Sequence, residues 1–329
     1  MVAILLIFHC IDSAICSLTL FSMLLFDTLT SLPPAAHGAV VALGNFDGVH
    51  KGHQVVLEKA RAVAAQKEKP FGVVTFEPHP RSIFSPADAP FRLTPRATKR
   101  RILEELGVDV LFELPFTYDF SKHTAAFFVE ELMLNQLNIS HAVAGHDFVF
   151  GHKRLGTMAV LKDIMQQYAL DADEVAPVKD GAHVLWSSTR IREHLESGDV
   201  QKAADAMGRP YEIEGVVAHG EKRGRSIGFP TINLPLSDFL RPRFGVYAVR
   251  LTFNDQCYDG VANIGVRPTV DGETQTLEAH IFDFVGNLYD QNIRVALVDF
   301  IRPEQNFGGL DALKVQIKQD CLVARQRLA

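Results

Sequence analysis

The feature that most constrains this chain is a change of rhythm near Gly208. Before it, short apolar runs alternate with stretches of helical periodicity. After it, apolar runs follow one another with only Gly, Pro, Asn and Asp turns between them. Strands joined through helices return to the same end of a sheet, so the first half predicts a doubly wound parallel sheet. Its strands are expected at 39–44, 71–78, 108–116 and 141–148, and its helices at 50–66, 94–107, 124–137 and 157–170. The second half contains YEIEGVVAH, GVYAVRLTF, QTLEAHIFDF and IRVALVDFI, and predicts a small antiparallel β-barrel. GLDALKVQIKQDCLVARQRL then closes the domain as an amphipathic helix. A chain of 329 residues suits two domains. We place them at 35–205 and 206–329, after a hydrophobic extension over 1–34.

Charge and cysteine usage narrow the class. A net charge of −6 gives no general basic field, so nucleic acid is not an expected partner, while a local patch for a phosphorylated ligand stays open, as does oligomerisation. Cys10, Cys16, Cys257 and Cys321 show neither CxxC nor zinc spacing, which points to a reducing compartment and a cytoplasmic location. Residues 1–26 carry one charged residue, Asp12, and no Lys or Arg. They have the length of a membrane segment, but no basic flank and no clear cleavage site. Either an anchor or an extension without a role, with Met23 as a candidate initiator, fits that composition. No stable membrane association is expected unless the anchor is real.

The richest segment of the first half is LGNFDGVHKGHQ, running from the first strand into the first helix. Gly44, Gly48 and Gly52 allow a tight turn and close ligand approach, and the helix start offers unpaired amides and a positive dipole end to phosphate. His50 and His53 are three apart and share a side of the first turn, where imidazoles can donate to phosphate oxygens. Capping or simple exposure would also explain two histidines beside a turn. The string Asn45, Phe46, Asp47, Gly48, His50, Gly52, His53 is similar to the (T/G)xFDxxHxGH signature of the nucleotidylyltransferase superfamily, and neither GxxxxGK[ST] nor GxGxxG occurs. Downstream, WSSTRIR places Ser187, Ser188 and Thr189 at a helix start. They read as N-caps on residue type alone. In the superfamily this position supplies phosphate contacts, with Arg192 as a cation beside the triphosphate.

In the second half, GVVAHGEKRGRSIGFPTINLP carries Gly220, Gly224 and Gly228, then Pro230, Thr231 and Asn233. Such a loop can wrap phosphate with backbone amides. In an extended segment Thr231 and Asn233 face the same way, and a hydroxyl with an amide oxygen suits Mg²⁺. Turn capping is the plainer role for the same pair. LEAHIFDF offers Glu278, which shares a strand face with His280.

With TFEPHPRSIF, RLTP and GHDFVFG between the first two motifs, and GVANIGVRPT after the glycine loop, nearly everything beyond residue 35 resembles the prokaryotic bifunctional riboflavin kinase/FMN adenylyltransferases, also called FAD synthetases. The resemblance implies an adenylyltransferase domain over 35–205, a riboflavin kinase domain over 206–329, riboflavin, FMN and ATP as substrates, and Mg²⁺ as cofactor. It further implies that Pro78, His79 and Pro80 lie by the flavin and that Asp147 sits in the cleft for ATP and FMN. Glu278 would be the base for the riboflavin hydroxyl, with Thr231 and Asn233 on the metal. The chain departs from the family pattern at Asn287, where an acidic residue is usual, and at Asp290, where glycine is usual.

Overall fold

The computed structural model describes residues 23–28, 32–179, 181, 184–219, 228–269 and 272–329. Cys10 and Cys16, nearly all of the apolar extension, Gly220 and Gly224 lie outside them.

The first unit is a six-stranded sheet in the order β1-β4-β3-β2-β5-β6. The strands are β1 (Leu24–Phe26), β2 (Val40–Leu43), β3 (Phe71–Glu77), β4 (Val110–Pro115), β5 (His141–Gly145) and β6 (Asp171–Val175), all parallel. β2 shows why the sheet is covered twice. Val41 and Leu43 enter one core with Phe112, Met133 and Leu161, while Val40 and Ala42 enter another with Leu57, Leu103 and Val143. Alternate residues of one strand feed both faces, as a doubly wound sheet requires. Helices α1 (Lys51–Lys67), α2 (Pro80–Phe84), α3 (Arg96–Glu105), α4 (Ala125–Phe127, prolonged helically over Phe128–Gln136) and α5 (Met158–Gln167) fill the connections. From β2 the chain winds to β3 and β4 on one side, then crosses to β5 and β6 on the other. The switch point is thus between β2 and β5, and the crevice beyond their carboxyl ends is where such sheets take ligands. The turn after β2 is the glycine and histidine segment.

Two strands of this sheet were not legible in the sequence. β1 is only three residues long, too short for any period, and joins the sheet edge against β4. Phe26 stacks on Phe112 at 5.6 Å and Asp27 meets Arg96 at 3.2 Å. The end of the apolar extension is therefore part of the sheet. β6 reads DADEV and looks like a loop, but it is an edge strand, where charged side chains are expected.

The second unit is an antiparallel barrel of six strands in the order β7-β12-β9-β10-β11-β8. These are β7 (Tyr211–Val216), β8 (Ile232–Pro235), β9 (Gly245–Phe253), β10 (Gln256–Thr269), β11 (Gly272–Ile281) and β12 (Asn292–Pro303). A bridge between Ala218 and Asn233 brings the two ends of this order together and nearly closes it. α8 (Leu310–Leu328) lays Ala324 and Leu328 against Val246, Ala248 and Phe282 outside the barrel. Between the units, α6 (Ser188–Ser197) and α7 (Val200–Met207) place Ile191, Leu195, Val200 and Ala203 in the same core as Tyr211, Ile213 and Leu297 of the barrel. The expected boundary at 205/206 falls inside α7. The units also join where Leu240 N donates to Arg92 O at 2.7 Å and where Arg101 meets Glu212 and Glu214 at 2.7 and 2.9 Å.

Candidate active sites

Backbone geometry at the end of β2 forces the chain into an unusual turn. Phe46, Gly48 and Val49 all have positive φ, at 51°, 88° and 41°. Only Gly adopts this region freely, so the turn must be held by its surroundings. Asp47 supplies much of that hold. It is 3% exposed, and its Oδ1 accepts from the amides of Leu93 and Thr94, each at 3.0 Å, while Arg192 reaches Oδ2. Thr94 Oγ1 in turn accepts from Gly48 N at 2.9 Å. Arg192 spends its Nε on Phe91 O at 2.9 Å, so Asp47 and Arg192 brace the site's floor.

On this floor α1 begins. His50 is its N-cap, with Nδ1 accepting from His53 N at 3.3 Å. That bond leaves Nδ1 unprotonated in the neutral ring and puts the N–H on Nε2. The two imidazoles stack at 3.6 Å between centroids, and Phe46 meets His53 edge-on at 5.2 Å. A side chain at Gly52 would stand 3.1 Å from the His50 ring and 3.4 Å from Trp186 O, a tight fit that favours glycine just before His53. The same close approach carries α6 in. Ser187 caps α6 by accepting from Arg190 N, Ser188 Oγ donates to Asp47 O at 2.8 Å, and Thr189 is exposed in the first turn. Two helix N-termini thus converge on one spot, an arrangement that favours an anion.

Burial holds the His50 imidazole well below its usual range, to about 4, against the opposing pull of the Asp47 and Asp147 carboxylates. His53 is held well below its usual range by burial and then by His50 itself, and among the described residues its Nδ1 has no hydrogen-bond partner. Both rings are therefore neutral donors at pH 7. Asp147 is largely exposed in the loop after β5, across the switch point, and Asn45 is exposed beside Gly44.

The Pro78-His79-Pro80 turn follows β3. His79 caps α2 through Arg81 N at 3.1 Å, packs its ring on Phe91 at 5.2 Å, and is lowered to about 4 by burial. Near it lies an aromatic group that the sequence did not reveal. Phe116 lies 5.5 Å from Phe76, 5.9 Å from Phe84 and 5.7 Å from Phe120, and Phe84 is exposed. Beneath the turn Lys99 is fully buried, donates to Thr75 Oγ1 at 3.2 Å and lies 3.7 Å from Glu77, which Arg92 grips with both terminal nitrogens. Burial, then the neighbouring Arg92 charge, brings Lys99 down to about 8. A charged residue in an amphipathic helix looks solvated from sequence, so Lys99 gave no signal.

In the barrel, strand register does the positioning. Leu234 pairs with Leu277 and Ile232 with Ala279, all in the core, so Asn233 and Glu278, directly opposed between them, share the outer face. On the other side of β11, Glu278 opposes Asn263, whose amide donates to Glu304 at 3.2 Å. His280 follows Glu278 on that face and meets Pro230 O at 2.9 Å. The glycine-loop motif and the carboxylate, 45 residues apart at Asn233 and Glu278, are thus adjacent across one ladder. Beside them a cleft of about 700 Å³, mouth included, is lined by Pro230, Thr231, Asn233, Phe284, Asn287 and Tyr289, among others.

That loop accommodates both departures. Asn287 Oδ1 accepts from Tyr289 N at 3.1 Å, a bond an aspartate would make equally well. Asp290 has φ 64°, where glycine is favoured and Asp is tolerated. Gly228, before the motif, also has positive φ, at 92°.

A switch point where two helix starts meet on a doubly wound sheet, followed by a barrel that sets the Glu278 carboxylate opposite Asn233 beside a cleft, fits a two-site nucleotide-using transferase. Comparison with known proteins narrows the class. A family model described as FAD synthetase matches residues 32–190 and one described as riboflavin kinase matches 207–328. The bifunctional riboflavin kinase/FMN adenylyltransferase of Haemophilus influenzae is 40% identical over 289 residues, 88% of this chain and 94% of the relative. That of Escherichia coli is 40% identical over 290 residues, 88% and 92% of the two chains. A crystal structure described as a macrolide-efflux protein from Streptococcus pneumoniae superimposes with a TM-score of 0.81 at 34% identity, covering 92% of this chain and 99% of its own. The chain belongs to the bifunctional riboflavin kinase/FMN adenylyltransferase family. Among the described residues no helix is long and apolar enough to cross a membrane.

Proposed function

We propose that the chain makes FAD from riboflavin in two ATP-dependent steps, each in its own unit. In the barrel, the riboflavin 5′-hydroxyl oxygen bonds to the γ-phosphorus of ATP, the bond from that phosphorus to the β-phosphate oxygen breaks, and ADP leaves. Glu278 takes the hydroxyl proton. The donor set fits Mg²⁺: Thr231 and Asn233 supply a hydroxyl and an amide oxygen beside one carboxylate, too few for a protein cage but suited to a cation that keeps phosphate oxygens and water. When bound with the nucleotide, Mg²⁺ would neutralise charge on the β- and γ-phosphates. The residues themselves orient the acceptor.

In the first unit, an oxygen of the FMN phosphate attacks the ATP α-phosphorus in line and pyrophosphate leaves. His50 and His53 donate to the oxygens that gain charge, together with the amides at the starts of α1 and α6. Neutral imidazoles suffice as donors, and a bound triphosphate would raise their affinity for a second proton. Asp147 borders this cleft, and the exposed faces around Phe84 and Phe116 suit stacking of a flavin ring next to the Pro78-His79-Pro80 turn. No covalent nucleophile is required in either step. Cys257 and Cys321 are free thiols, in keeping with our placement of the protein in the cytoplasm.

The observation that carries this reading is the convergence of two helix starts, with paired imidazoles, in one unit and the Asn233–Glu278 ladder in the other. Incubating the purified chain with riboflavin, ATP and magnesium and separating the flavins by chromatography tests it. FMN and then FAD are expected. Retention of riboflavin unchanged would leave a flavin-binding protein without turnover, and FMN as the end product would assign the first unit another acceptor.

A further inference from the structure

Arg209 belongs by sequence to the segment matched by the riboflavin kinase family, one residue past the Gly208 that ends α7. Its guanidinium nevertheless reaches the adenylyl-transfer turn. Nη2 donates to Gly48 O at 2.8 Å, and Nη1 to Val49 O at 3.2 Å and Met207 O at 3.4 Å. Gln54 completes the junction by donating to Val49 O and Met207 O, each at 2.9 Å. All the hydrogen bonds of Arg209 among the described residues go to carbonyls.

What those carbonyls belong to matters. Gly48 and Val49 are consecutive residues with positive φ, 88° and 41°, and Val49 is β-branched and fully buried. A β-branched residue there is a backbone outlier that persists only when its surroundings fix it. The next residue is His50, whose ring must cap α1 and stack on His53. The grip on Gly48 O and Val49 O therefore sets the direction in which the chain enters α1, and with it the placement of both imidazoles. Arg209 also brings a positive charge beneath a site built for anions, and it is among the groups that keep both imidazoles neutral.

We propose that Arg209 is a positioning residue for adenylyl transfer, delivered to the first unit by the chain of the second. This rests on the assignment of adenylyl transfer to the first unit. Each active site then lies in its own unit, but the first is complete only when the barrel's leading strand is docked.

The full-length chain is compared with Arg209→Met and Arg209→Lys, each assayed for riboflavin phosphorylation and, separately, for FMN adenylylation. Methionine keeps length and removes every donor; lysine keeps the charge and can serve one carbonyl. Arg209→Met should lower kcat for adenylylation by about tenfold or more, with KM for FMN and ATP changed by less than about threefold and phosphorylation within about twofold of the parent. Arg209→Lys should recover part of the loss. A normal adenylylation kcat in Arg209→Met overturns the proposal, and so does an equal fall of both activities in both variants, since that is the mark of a general folding role. A parent chain that makes no FAD would instead sink the functional assignment beneath it.

Discussion

The two proposed sites would meet the same demand, holding phosphates still, by different means. In the first unit the work is done below the surface. Buried Asp47, Arg92 and Lys99 with partly buried Glu77 and Arg192 form an ionic floor, and the groups proposed to meet the ligand are helix starts and neutral imidazoles standing on it. In the barrel the proposed groups Asn233 and Glu278 are opposed across a ladder and set by its register, with a loop of turn residues lining the cleft beside them. The first site is thereby costly to disturb and tied to protonation, because buried charges lose heavily when a partner is removed. The second should tolerate change in its loop while depending sharply on one or two side chains.

Removing the floor is the strongest way to test that contrast. Asp47→Ala leaves Arg192 without its carboxylate and the Leu93 and Thr94 amides without an acceptor, so we expect a loss of about 3–5 kcal/mol in urea unfolding. A loss under about 1 kcal/mol would show that the floor is not what holds the turn.

Acid should act on the same region. His50 and His79 are each depressed from 6.5 to about 4 in the folded chain. Between about pH 4 and 6.5 the unfolded chain therefore binds more protons, so stability is complete above that window and falls as pH drops through it. Each ring accounts for roughly 3 kcal/mol across the window. Urea midpoints measured from pH 7.5 to 4 should fall steadily, and less so in His79→Gln. A flat profile would mean that these imidazoles are not buried neutral groups.

The loop of the barrel site should respond least. Asp290 already occupies a left-handed conformation, so Asp290→Gly should alter unfolding stability by under about 1 kcal/mol and riboflavin phosphorylation by less than about twofold. A larger fall in activity would give the carboxylate a direct part in the kinase reaction and make the loop as demanding as the buried floor.

Legibility in the sequence divides along the same line. The strand and helix alternation, the barrel and the motif residues were readable, since period and turn chemistry are local. His50, Gly52, Asn233 and Glu278 could be named in advance because each belongs to a contiguous string. The capping role of His50, one alternative left open by residue type, is what the structure shows, since its Nδ1 accepts from His53 N at the start of α1 and leaves Nε2 free to carry the proton. What stayed hidden was everything created by distant segments meeting. Lys99 looked like a surface lysine, the aromatic group draws on β3, α2 and the loop after β4, and Arg209 lay in an unremarked linker. β1 and β6 were missed since one is three residues long and the other carries the charges of an edge.

The central claim, two separate sites acting in succession, is met most directly by a crossed pair of substitutions read by flavin chromatography. Glu278→Gln should abolish conversion of riboflavin to FMN while FMN is still converted to FAD, and His53→Ala should do the reverse. Loss of both reactions from either substitution, in a chain that still folds, would contradict the division of labour.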